Sequence, residues 1–104
     1  MTLDEYQSFA KTTAIYPNTH AVIYPALGLC GEAGEVAEKI KKSIRHGTPF
    51  DVDALILEMG DVLWYLASLS NDLGVSLDVV LSRNVSKLIS RKERDAIIGD
   101  GDTR

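Results

Sequence analysis

The sequence holds one cysteine, Cys30, in 104 residues, so no internal disulfide can form and a zinc thiolate centre has too few ligands. That absence points to a reducing, cytoplasmic setting. A basic excess is missing too: eleven Lys and Arg stand against fifteen Asp and Glu, a net charge of -4, which argues against a nucleic-acid backbone as partner. Long hydrophobic runs are absent as well. Glu58 and Asp61 interrupt the most apolar stretch before it reaches the roughly 20 residues a membrane helix needs. Met1 to Ala10 carries Asp4 and Glu5 instead of the basic-then-apolar order of a signal peptide. A soluble protein without membrane or nucleic-acid partners is expected. No internal repeat, low-complexity tract or strand-like alternation is found.

What remains is helical periodicity. Thr2 with Glu5 three residues on has the form of a capping box, followed by Leu3, Tyr6, Phe9, Ala10 and Ala14 at helical spacing. Pro17, Asn18 and Pro25 then mark Ile15 to Pro25 as a loop. A second, amphipathic helix is expected from Ala26 to about Arg45, with Leu29, Cys30, Ala33, Val36 and Ile40 in its apolar stripe and Gly47 and Pro49 ending it. Asp51 or Asp53 can cap a third helix that runs to Leu73 and stops at Gly74; it is apolar almost all round. Ser76 can cap a fourth reaching about Glu93, with Leu77, Val80, Leu81, Val85 and Leu88 inward. The fold class is therefore all-α, one domain over residues 1–104 with a flexible tail from about residue 94. A chain this short buries only about 60 to 70% of its unfolded surface, so leftover apolar faces favour self-association.

The chemistry concentrates in four carboxylates. Glu32 and Glu35 sit three apart on the second helix, Glu58 and Asp61 three apart on the third, and a spacing of three puts each pair on one face. Each pair lies at about 100° and 160° from its helix's apolar stripe, so two antiparallel helices can bring both to a common rim. Four clustered like charges raise one another's pKa values unless a cation neutralises them. Oxygen ligands without His or Cys suit Mg²⁺ or Mn²⁺, and Mg²⁺ takes further oxygens from phosphate groups. An ordinary solvated acidic face is the competing account of either pair alone.

Gly31-Glu32-Ala33-Gly34-Glu35-Val36-Ala37-Glu38, followed by Glu58-Met59-Gly60-Asp61-Val62-Leu63-Trp64-Tyr65-Leu66, resembles the MazG family, whose signature is Glu-x-x-Glu, a spacer, then Glu-x-x-Asp. The likeness extends from about Ala26 through Arg91, and the ending Gly99 to Arg104 is similar to small single-domain members. The resemblance implies a bundle of the four-helix type, dimeric or tetrameric. It also implies an enzyme that hydrolyses nucleoside triphosphates to monophosphate and pyrophosphate, with Mg²⁺ or Mn²⁺ held by Glu32, Glu35, Glu58 and Asp61. Among these, Glu35, Glu58 and Asp61 are the catalytic candidates, Glu35 as a possible base for water. Two alternatives stay open: a catalytically silent helical module that binds metal or nucleotide, and a phosphoribosyl-ATP pyrophosphohydrolase.

Further residues are candidates for substrate contact. Asn84, Lys87 and Arg91 fall within about 60° of one another on the fourth helix, where the resemblance also implies substrate binding. Lys39 follows Glu32 by seven residues on the same face, and Tyr65 shares the side of Glu58 and Asp61. His20 and Tyr24 precede the second helix, where relatives close over a nucleobase. Trp64 and Leu57 point away from the apolar centre and are expected in an oligomer interface, while Cys30 is expected in the core.

Overall fold

The computed structural model describes all 104 residues as four helices and a short 3-10 turn, with no strand. The first helix, α1 (Leu3–Thr13), starts with the complete capping box: the Thr2 hydroxyl accepts from the Glu5 amide, and the Glu5 carboxylate accepts from the Thr2 amide. α3 (Val52–Leu73) is capped by Asp51, whose carboxylate accepts from the Ala54 amide at 3.1 Å. Gly74 closes it at φ +70°, a left-handed conformation that costs a glycine nothing. α4 (Leu77–Glu93) is capped by the Ser76 hydroxyl.

α2 (Ile23–His46) begins three residues before the expected Ala26. Pro25 marks a loop by composition, but in the first helical turn its missing N–H has no partner to lose. The residue ahead of the helix carries the cost. Val22 sits at φ +68°, a strained setting for a β-branched residue. It is held there by Asp72 of α3, whose carboxylate accepts both the Val22 amide at 2.9 Å and the Tyr16 hydroxyl at 2.8 Å. Burial first, and then this bond to Asp72, push the Tyr16 hydroxyl up to about 12.

α2 and α3 form the antiparallel pair that positions everything else: Tyr65 lies over Gly28 at one end and Glu58 faces Lys39 nearer the other. α1 packs on α3, and α4 leans on α1. The buried hydrophobic core is Ala10, Ala67 and Leu77, flanked by Leu3, Tyr6 and Trp64. Gln7 ties these layers together. Its buried side chain donates to the Val75 carbonyl at 2.8 Å and accepts from the Leu77 amide at 2.8 Å, while its own carbonyl takes the Asn71 side-chain amide. Gln7→Ala leaves two backbone groups unpaired and is expected to cost about 2 to 4 kcal/mol, measured by urea denaturation.

Within one chain the four helices leave apolar faces open, as expected for a chain this short. The radius of gyration is 16.5 Å, where a close-packed chain of this length has about 13 Å. Met59, Leu63 and Leu66 of α3, with Ala33 and Val36 of α2, line an open apolar recess of about 560 Å³. Val80, Leu81, Val85 and Leu88 of α4 are also exposed. Cys30 is exposed rather than in the core, because the face it occupies has no covering element from the same chain. Trp64, partly buried, packs against the core, and its indole N–H donates to the Thr13 hydroxyl at 2.7 Å. No helix is long and apolar enough to cross a membrane.

Past Glu93 the chain turns back along α4. Composition alone leaves this segment nothing to pack on, yet the guanidinium of Arg91 reaches the carbonyls of Gly101 and Asp102 at 3.2 and 2.8 Å. Arg104 in turn donates to the carbonyls of Ala96, Ile97 and Gly101. The C-terminal turn is thus organised by two arginines rather than by apolar burial.

Candidate functional site

On the open edge of the α2–α3 pair, carboxylate oxygens of Glu32, Glu58 and Asp61 all lie within 4.8 Å of one another. Glu32 and Glu58 are half-buried and Asp61 is exposed. The helical spacing of three, repeated on two antiparallel helices, produces this juxtaposition. Burial, the neighbouring Glu58 carboxyl and the charges of Asp61 and Glu35 raise the titration of Glu32 above the ordinary carboxylate range. The nest is therefore electrostatically frustrated without a counter-charge. Three convergent oxygen donors and no nitrogen or sulfur suit a hard divalent cation, so these residues fit Mg²⁺ or Mn²⁺.

Glu35 lies one turn along from Glu32 and stands outside the convergent trio. It is exposed, near enough to act on Glu32 through its charge. One cation already reaches the nest: the ammonium of Lys39 lies 3.5 Å from the Glu58 carboxylate. The apolar residues around the acids on α3, among them Ile56, Leu57 and Met59, are not buried as their sequence context suggests but remain exposed within one chain.

An aromatic cluster borders the acids on the side of the α2 N-terminus. Tyr16 and Tyr24 stack at 4.8 Å, Tyr24 meets Tyr65 at 6.4 Å, and Trp64 sits edge-on to Tyr65 at 5.0 Å. Together with Ile15 they line a recess of about 380 Å³. Burial foremost, then Tyr24, Glu32 and Asp61, raise the Tyr65 hydroxyl. Tyr65 approaches α2 only because position 28 has no side chain: a Cβ there would overlap its ring. Nothing in the local sequence marks Gly28, since the requirement comes from a residue 37 positions away on another helix. Gly28→Ala gains helix propensity but must displace the Tyr65 ring. A net loss of about 1 to 3 kcal/mol is expected, with a changed near-ultraviolet circular dichroism spectrum.

The remaining candidates have other surroundings. His20 is exposed in the 3-10 turn Asn18–His20. Asn84 borders a recess with Leu63, Val80 and Leu81. Lys87 pairs with Asp102 at 3.1 Å, and Arg91, only 4% exposed, holds the C-terminal turn through one guanidinium nitrogen while its Nε is buried without a partner. Sequence reasoning placed Lys87 and Arg91 on one face but could not see that Asp102 folds back onto them.

The family model for the MazG nucleotide pyrophosphohydrolase domain matches residues 21–95, a span containing all four acids. The chain is also 46% identical to the Gene 37 protein of Mycobacterium phage L5 over 114 aligned positions covering the whole of both chains. No solved structure matches it.

Proposed function

The chain belongs to the MazG nucleotide pyrophosphohydrolase family, and from that premise we propose that it hydrolyses nucleoside or deoxynucleoside triphosphates to monophosphate and pyrophosphate, using Mg²⁺ or Mn²⁺. The observation that carries this reading is the convergence of Glu32, Glu58 and Asp61 within 4.8 Å beside a recess large enough for an aromatic ligand. Glu32, Glu58 and Asp61 would hold the cation, with Glu35 at the margin. Bound there, a divalent cation supplies stabilisation of phosphate-oxygen charge and a lowered pKa for attacking water.

The chain's own groups divide the remaining work. Glu35, exposed and outside the convergent trio, would orient a water molecule and take its proton as oxygen attacks the α-phosphorus. The bond from that phosphorus to the bridging oxygen breaks, and pyrophosphate leaves. Lys39, already drawn toward Glu58, meets phosphate charge that arrives beside it. Tyr24 and Tyr65 offer aromatic surface to the nucleoside. Lys87 and Arg91 support the C-terminal turn in this reading and are not assigned to substrate.

The exposed apolar recesses also support a homo-oligomer as the working form. A panel of nucleoside triphosphates and phosphoribosyl-ATP, with product identification, tests the reaction. Monophosphate plus pyrophosphate from the triphosphates is the expected result. Binding without turnover of any of them would instead favour the silent module.

A further inference from the structure

We propose that Asp72 of α3 is a positioning residue for nucleoside recognition: it latches the segment between α1 and α2 so that Tyr16 and Tyr24 present a fixed aromatic wall to the base of a nucleotide; this rests on the triphosphate reading of the acids and the recess beside them. Asp72 does not line the recess, whose walls include Ile15, Tyr16, Tyr24, Trp64 and Tyr65. It acts on those walls through two hydrogen bonds.

Both bonds converge on one oxygen. Asp72 Oδ2 accepts from the Tyr16 hydroxyl at 2.8 Å and from the Val22 amide at 2.9 Å. Tyr16 opens the segment and Val22 closes it, with Pro17 and the 3-10 turn Asn18–His20 between them. A single half-buried carboxylate therefore pins the segment at both ends. Each bond reaches Tyr24 by its own route. Val22 is the residue before α2 and supplies no side-chain cap, so a carboxylate from α3 stands there instead, where the positive end of the helix dipole favours negative charge. Fixing Val22 fixes the first turn of α2, which carries Tyr24. The bond to the Tyr16 hydroxyl orients a ring that stacks on Tyr24 at 4.8 Å with the planes 21° apart. Strain shows that the latch is needed: at φ +68°, a β-branched Val22 relaxes to an ordinary backbone once its amide is released.

Register along α3 connects the latch to the acids. Asp61, Tyr65, Ser68 and Asp72 follow at spacings of four, three and four, within about 60° of one another around the helix. One stripe therefore carries a carboxylate of the trio, a wall of the recess and the latch, with about 16 Å along the axis from Asp61 to Asp72. Tyr65 stands between the two. The polar groups of the wall are already committed: the Tyr16 hydroxyl donates to Asp72 and the Trp64 indole N–H to Thr13. What the wall offers a base is ring surface, and stacking depends on where the rings are held.

The test is steady-state kinetics of the full-length protein with a nucleoside triphosphate, using inorganic triphosphate, the same tail without a base, as a competitive inhibitor. Asp72→Ala is expected to raise the nucleotide KM roughly fivefold to tenfold, the scale of one lost base stack, with kcat and the inhibition constant of inorganic triphosphate at wild-type values. Asp72→Asn keeps an oxygen acceptor and should restore most of the affinity, while Tyr16→Phe should lose part of it. In a Tyr24→Ala background, Asp72→Ala should raise KM no further, because the latch acts through that ring. A wild-type nucleotide KM in Asp72→Ala, an equal loss for inorganic triphosphate, or an additive loss on top of Tyr24→Ala would overturn the latch and leave the reaction standing. Should Asp72→Ala fail to fold, a wild-type nucleotide KM in Tyr16→Phe overturns it instead. If the wild type hydrolyses no triphosphate, calorimetric titration with the same two compounds decides: a loss in Asp72→Ala confined to the nucleotide keeps the latch while the reaction fails, and no loss or an equal one overturns both.

Discussion

Glu58→Gln and Asp61→Asn are each expected to lower triphosphate turnover on the order of a thousandfold, because each removes a charged oxygen donor from the convergent trio while keeping side-chain size. The same variants should lose stabilisation by metal. In the wild type, Mg²⁺ or Mn²⁺ at a hundredfold over its dissociation constant adds about 2.7 kcal/mol, read as a rise in Tm. Glu32→Gln carries a second, opposite signature. Burial and its acidic neighbours raise the Glu32 titration, so its protonated form is the one that suits the metal-free fold. Stability from that proton is present at acidic pH and is lost as pH rises through the raised folded value. In chelator, Glu32→Gln should therefore unfold at a higher temperature than wild type at neutral pH, with the gap closing toward acid. A variant that is inactive, blind to metal and more stable without it identifies strain at a metal nest. If all three substitutions leave turnover and the metal-dependent Tm at wild-type values, the acids are a solvated surface.

Local signals carried most of what the sequence disclosed. Thr2 with Glu5, Asp51, Gly74 and Ser76 act on amides or carbonyls a few residues away, so helix ends can be identified without knowing the tertiary structure. The two acid pairs were visible for the same reason, since the repeat of three is a property of each helix alone. The structure brings Glu32, Glu58 and Asp61 together but leaves Glu35 at the edge, a difference set by where the helices cross.

Long-range relations were not legible. The Asp72 carboxylate that holds Val22 and Tyr16 lies at least 50 residues from both, and that link lets α2 start ahead of Pro25. Gly28 owes its place to Tyr65, and Arg91 its burial to a glycine-rich ending with no apolar periodicity. The apolar stripes of α3 and α4 were legible as stripes, but periodicity does not say which chain covers them. Within one chain, Leu57, Met59 and Leu81 stay 72%, 60% and 50% exposed.

That exposure leads to the second large effect, which concerns assembly. Leu81→Glu, on α4 at a half-exposed apolar position, is expected to dissociate the protein and to unfold it in part. On a solitary chain, a substitution at a half-exposed position should change stability by no more than about 0.5 kcal/mol. In an assembly it places an unpaired charge in an apolar contact, at a cost of several kcal/mol, comparable to the whole stability of a small domain. Sedimentation should therefore show a homo-oligomer for the wild type and lighter species for Leu81→Glu. The wild-type urea midpoint should rise with protein concentration, as it must when folding and association are one equilibrium. A wild type of monomer mass, with a midpoint independent of concentration and insensitive to Leu81→Glu, would show that three buried hydrophobic residues and their flanking neighbours suffice to hold four helices. Core size is the physical ground for the expected association: Ala10, Ala67 and Leu77 bury little apolar area against the conformational entropy of 104 ordered residues.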